Sequence, residues 1–166
     1  MFFWFIGTAL VTAWFVFHDP AIDLRMVIGG ALAPDLLDAP WAGARVAHSV
    51  TFSVAVLASV MIATIGRRLL RRRLVMIAVG LMLHLVFDGA VSDTTVFWWP
   101  IGGSAWPDAP LPVIERGWWN IPLELAGLLM CAWAWRRFGW NDRARRRLLV
   151  RSGRLDRELV GRHAAR

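Results

Sequence analysis

Met76–Asp88 reads MIAVGLMLHLVFD, an apolar stretch that carries His84 and Asp88 toward its end. The two are four residues apart, so on a helix they share one face, about one turn from each other. An aspartate in a membrane-spanning helix costs roughly 2.5–3.5 kcal/mol on insertion scales, which makes it a functional hypothesis by default. The two can pair with each other, or be satisfied from elsewhere in the chain, with Arg45 and Arg116 among the candidates.

The chain has 166 residues, enough for one domain. It is 57% hydrophobic, with 11 Trp and no Tyr, and its mean hydropathy is +0.49. Several apolar runs approach the ~17–25 residues that a transmembrane helix needs. The expected fold is therefore all-α: a polytopic transmembrane bundle of about five helices, with four spans plus a re-entrant helix as the alternative. The formal charge is +7 and all 19 basic residues are Arg. They cluster beside apolar runs, which favours membrane topology over nucleic-acid binding. Cys131 is the single cysteine and has no intrachain partner. Met1–Phe17 lacks a basic n-region and a small-residue cleavage site, so it does not read as a cleaved signal peptide.

Five helices are expected, at Met1–Phe17, Leu24–Leu37, Ser49–Gly66, Leu74–Val91 and Trp118–Trp135. A helix break at Pro20 follows the first, and Asp23 is placed to cap the second. Gly29, Gly30 and Ala31 allow close helix contact. Arg67–Arg73 holds five arginines, and from Arg136 onward there are 11 Arg against three acids. The division expected is a transmembrane domain over 1–138 and an Arg-rich cytoplasmic tail over 139–166. The tail is expected to lie on anionic lipid headgroups. It has no aromatic interleaving beyond Trp140, so no nucleic-acid partner is expected. The Trp98-Trp99 and Trp118-Trp119 pairs read as an interfacial belt.

Arginine-rich flanks face the cytoplasm. On that rule the Arg67–Arg73 stretch and the C-terminal tail are both inside, two spans apart, in a bacterial inner membrane. His84 is then about 16 Å up from Arg73 and Glu124 about 18 Å up from Arg136, so the two are level. Asp35, Asp38, His48, His84 and Asp88 all fall at the outer end of the bundle.

Imidazole and carboxylate are the ligand set of zinc and related divalent metals. Asp35 and Asp38 are at i, i+3, and His84 and Asp88 at i, i+4, so each pair points one way. The five are the candidate metal ligands, with zinc the expected ion and manganese the second choice. A shared ion requires His48 within roughly 8 Å of the His84/Asp88 pair, given ~2.0–2.2 Å ligand bonds. Asp35, Asp88 and Glu124 are the candidate catalytic carboxylates. For Glu124 three roles stay open: an extra ligand, the base, or a partner to Arg116. Ser49 follows His48, but no third group for a Ser/His/Asp relay is identifiable by spacing.

The order of these motifs resembles the YdjM-like family of bacterial membrane-bound metal-dependent hydrolases. The family has a glycine-rich helix ending in a Pro-Asp motif, matched by Gly29-Gly30-Ala31-Leu32-Ala33-Pro34-Asp35 with Asp38. A Thr-His-Ser motif is matched in two of three positions by Ala47-His48-Ser49. His84 to Asp88 matches its His-x-x-x-Asp, and Trp99-Pro100 its Trp-Pro loop. The resemblance covers about residues 24–100. It departs at Gly43, where the family has a further histidine, and in Met1–Leu10, which has none. The resemblance implies metal-dependent hydrolysis, and through a suggested kinship with zinc-dependent phospholipase C it points to phosphoesters.

The expectation is an integral membrane metal-dependent hydrolase with an outward-facing His/Asp site, acting on a lipid or lipid-linked phosphoester. The alternative is a non-catalytic membrane scaffold or accessory subunit whose buried polar residues lock helix packing. A third reading is an ion or proton path through Glu124 and His84.

Overall fold

A computed structural model describes residues 1–41, 43–101, 103, 109–110 and 112–159 of the chain. The end of the expected tail, 160–166, lies outside the described residues. The described chain is all-α apart from one two-residue ladder. Its helices are α1 (Phe2–Phe17), α2 (Leu24–Asp38), α3 (Val50–Ala63), α4 (Arg68–Phe87), α5 (Thr94–Phe97), α6 (Pro112–Arg116), α7 (Asn120–Arg137) and α8 (Arg143–Ser152). The ladder pairs Gly43 with Pro110 and Ala44 with Ala109, antiparallel.

The membrane-spanning expectation does not hold. Among the described residues no helix is long and apolar enough to cross a membrane. α1, α2 and α3 have 16, 15 and 14 residues, short of the ~17–25 that a span needs. α4 reaches 20 residues only by starting at Arg68, so Arg71, Arg72 and Arg73 stand on the helix. α7 has 18 residues and includes Glu124, Arg136 and Arg137. The five-span bundle, its four-span alternative, the multi-pass inner-membrane location and the orientation argued from arginine all depended on spans, and go with them.

Two close crossings set the packing. α2 and α4 run in the same direction: Asp23 meets Arg73 near their starts, and Ala31 meets His84 farther along. Between those points Gly30 and Gly80 lie backbone against backbone. A Cβ on Gly30 would collide with the Ile77 carbonyl, and one on Gly80 with that of Val27. Gly7 and Gly127 bring α1 and α7 together in the same way. The core joins Phe5, Leu10, Trp14, Val27, Met76 and Phe138 from these helices.

Asp23 caps α2, accepting from the Arg25 backbone N–H at 3.2 Å. Burial opposes its charge, but the Arg25 and Arg73 guanidiniums prevail and hold the carboxyl below its ordinary range. The segment after α7 folds back onto this end. The Leu24 N–H donates to Gly153 O at 2.9 Å, the Leu155 N–H donates to Pro20 O at 2.9 Å, and Leu155 and Leu159 enter the core. On the opposite flank α7 leaves Ile121, Leu125, Leu128 and Leu129 exposed, with Trp118 and Trp119 just before it.

Candidate metal centre

Two helices and a turn deliver the site to one end of the bundle. Asp35 and Asp38 come from the last turn of α2, His84 from the last turn of α4, and Asp88 caps α4. His48 ends a 3-10 turn, Val46–His48, that leads into α3. Ser49 is the N-cap of α3: its Oγ accepts from the Phe52 N–H at 3.1 Å and donates to Val46 O at 2.8 Å. Both lone hydroxyl functions thus serve the helix start.

Asp35, His48 and His84 make a candidate metal-binding triad, with one ligand atom from each lying within 4.8 Å of the others. His48 Nε2 is 3.3 Å from His84 Nε2. Asp35 Oδ1 is 3.6 Å from the first and 3.7 Å from the second. Donors bound at ~2.0–2.2 Å to one tetrahedral ion lie roughly 3.3–3.6 Å from one another, so the three atoms fit one face of such a shell. Both histidines are fully buried, and the Asp35 side chain is 27% exposed.

The other ring nitrogens explain this convergence. His84 Nδ1 is 2.7 Å from Ala31 O, and a carbonyl can only accept, so Nδ1 carries the hydrogen. His48 Nδ1 is 2.7 Å from Asp38 Oδ2, which also accepts from the Arg45 N–H at 2.8 Å. In the neutral rings both Nε2 atoms therefore present lone pairs, aimed at each other. Hydrogen-bonded imidazole of this kind is the usual support of a metal ligand. The His84 ring is stacked on Phe5, centroids 4.0 Å apart.

Asp88 sits beside the triad. Its Oδ2 is 3.9 Å from both Nε2 atoms, and it is buried with no hydrogen-bond partner among the described residues. A buried carboxylate oxygen left over is what a nearby cation or a bound proton would satisfy. Its Oδ1 and its carbonyl both accept from Arg116, the latter at 2.7 Å.

Charge is divided unevenly across the cluster. Burial disfavours a charged His48, but the carboxylates beside it, Asp35 and the hydrogen-bonded Asp38, outweigh it and lift the ring to about 9. Burial lowers His84 to about 4, with the neighbouring His48 charge adding to the effect against the pull of Asp35. Burial pushes the Asp88 carboxyl up, against the pull of Arg116. Without a metal, then, one proton on His48 occupies the place where a cation would sit.

Two of the expected site residues stand elsewhere. Asp38 does not face the ion position; it holds His48 from behind. Glu124, on α7, reaches the start of α1, where its two carboxylate oxygens accept from the Phe2 and Phe3 N–H groups, the latter at 2.8 Å. The Ala31 carbonyl has no counterpart among the expected site residues; Arg116, expected as a partner either of Glu124 or of the His84/Asp88 pair, binds Asp88. A cavity of about 320 Å³ opens next to the triad, lined by Ala44, His48, Asp88, Ala90 and Arg116, with Asp93 and Glu115 also on its wall. Asp93 is engaged as the cap of α5, accepting from Thr95 and Val96.

Compared with protein-family models, curated proteins and solved structures, the chain gives no match in any of the three.

Proposed function

We propose that the chain is a metal-dependent hydrolase of phosphoesters, with zinc held by Asp35, His48 and His84. The observation that carries this reading is the facing pair of Nε2 atoms, each on a ring whose Nδ1 is already bonded to oxygen. Two imidazoles and a carboxylate suit zinc, with manganese the second choice. Zinc bound there supplies Lewis acidity to a phosphoryl oxygen and to the attacking water.

The chain's own residues supply the rest. Asp88 Oδ2 faces the ion position, and its raised pKa suits a group that takes a proton from water. Arg116 fixes the Asp88 carboxylate and brings a guanidinium to the cavity, where it can meet phosphoester charge. The order of motifs shared with the YdjM-like family supports the same chemistry.

The test is hydrolysis of bis(p-nitrophenyl) phosphate by the purified, metal-loaded chain. Asp88→Asn is expected to keep the metal and lose at least about 100-fold in turnover, in the range of a lost general base. The packing-only reading is favoured by one observation: the His48–Asp38 and His84–Ala31 bonds tie α2 to the α3 entry and to α4. On that reading no turnover is seen, and Asp88→Asn changes nothing but stability.

A further inference from the structure

The opposite end of α4 carries a second constellation. Arg73 is 11 residues before His84, about 16 Å away along the helix. Around it opens a cavity of about 330 Å³ lined by Asp23, Arg25, Arg72, Arg73, Arg151 and Arg154. Asp23 Oδ2 accepts from Arg25 Nη2 at 2.8 Å and is ion-paired with Arg73 Nε at 2.7 Å. Arg72 is paired with Asp19. Arg151 and Arg154 have no side-chain partner among the described residues. Five guanidiniums thus face two carboxylates.

The arrangement is held in place. Arg25 Nη1 donates to Val150 O at 2.7 Å, and the Leu24 N–H donates to Gly153 O at 2.9 Å. Gly153 ends α8 in the left-handed region (φ 73°) and lies so close to Asp23 that a Cβ would strike its carboxylate. The end of α8 is thereby latched to the start of α2, and that latch sets Arg151 and Arg154 on the cavity wall.

We infer that this cavity binds a phosphate group, carried either by a free phosphate anion or by an anionic lipid headgroup. A phosphate brings about −1.5 to −2 charge and three acceptor oxygens, which matches an uncompensated guanidinium excess. Guanidinium is planar and forked, so it binds phosphate through paired hydrogen bonds. The volume is about ten times a water's ~30 Å³ share of the liquid, room for a phosphate and its remaining hydration.

The test titrates the full chain at constant ionic strength with inorganic phosphate by calorimetry. In parallel it measures co-sedimentation with phosphatidylcholine vesicles that contain phosphatidylglycerol. Two double variants remove equal charge from α8: Arg151→Gln with Arg154→Gln, on the cavity, and Arg143→Gln with Arg147→Gln, off it. The cavity variant is expected to lose at least about tenfold in affinity and the other less than about twofold. Phosphate held at the metal centre would be the same in both. A free anion gives this difference in the phosphate arm, and a headgroup gives it in the vesicle arm. Arg151→Lys with Arg154→Lys keeps the charge and removes the fork, so it should lose several-fold even if the glutamine variant folds poorly. Equal responses of the two glutamine variants in both arms, with no loss in the lysine variant, would overturn the proposal.

Discussion

His48 Nε2 and His84 Nε2 stand 3.3 Å apart, and neither ring can turn away. The His84 ring is held by the Ala31 carbonyl and by stacking on Phe5. Asp38 holds the His48 ring. Two lone pairs fixed face to face require a positive charge between them, and only a proton or a metal ion can supply it.

Asp38→Asn tests the support of His48. The amide keeps an acceptor and loses the charge behind the ring. Metal affinity is expected to fall about 10–100-fold, the usual effect of losing a ligand's supporting partner, with one ion still bound at saturation. Competition titration against a chromophoric chelator reads this directly. An unchanged affinity would mean that His48 is not a ligand.

Uptake of metal should depend on pH in a definite direction. His48 holds a proton up to about pH 9 in the metal-free chain, and a bound ion has to expel it. Affinity should therefore rise with pH, by about tenfold per unit below 9, and level off above it. Calorimetry at pH 7 in two buffers of different ionisation enthalpy should show about one proton released per ion. Zero protons released would contradict the assignment of His48.

Gly30 and Gly80 let α2 approach α4 closely enough for His84 to reach Ala31. Gly80→Ala places a methyl group against the Val27 carbonyl, and overpacking of this kind costs about 1–3 kcal/mol. The expected result is a lower urea midpoint together with weaker metal binding. Gly29→Ala is the control, since nothing lies within 4 Å of its Cβ. In a helix interior that change should stabilise by about 0.5–1 kcal/mol.

Glu124→Gln separates a cap from a catalytic carboxylate. Glu124 receives the Phe2 and Phe3 N–H groups at the start of α1. The variant should lose about 0.5–2 kcal/mol of stability, as for a weakened cap, while metal content and turnover stay within twofold. Loss of turnover in a variant of full stability would return Glu124 to the chemistry.

Much of the helical plan is legible in the apolar runs. Leu24–Leu37 was expected and Leu24–Asp38 is observed, with Asp23 as its cap. The last helix was expected at Trp118–Trp135 and runs over Asn120–Arg137. What misled was reading those runs as spans. Apolar content alone does not make a span: here part of it is buried between helices and part, such as Ile62, Leu69 and Leu129, is exposed, and among the described residues no helix is long and apolar enough to cross a bilayer. The arginines of 67–73 were expected to end a span as a loop, yet Arg68 starts α4 and the helix continues through the others.

For the site, spacing showed that His84 and Asp88 share a face. It could not tell a residue aimed at the ion from one aimed at a ring: Asp35 and Asp38 are three apart, and only Asp35 meets both Nε2 atoms. Glu124 was matched to His84 by height along a helix. Height carries no information about rotation around the axis, and rotation turned it to the start of α1. The Ala31 carbonyl has no side-chain signature, although Gly30 beside it marked the close approach that brings it to His84.

The central claim is tested most directly by counting metal. The full chain, purified without chelators, is analysed by inductively coupled plasma mass spectrometry alongside His48→Ala and His84→Ala variants that retain helical circular dichroism. One zinc or manganese ion per chain in the wild type, and below a tenth of that in both variants, is the result predicted. A wild-type chain free of metal, or variants that keep the full ion, would contradict it.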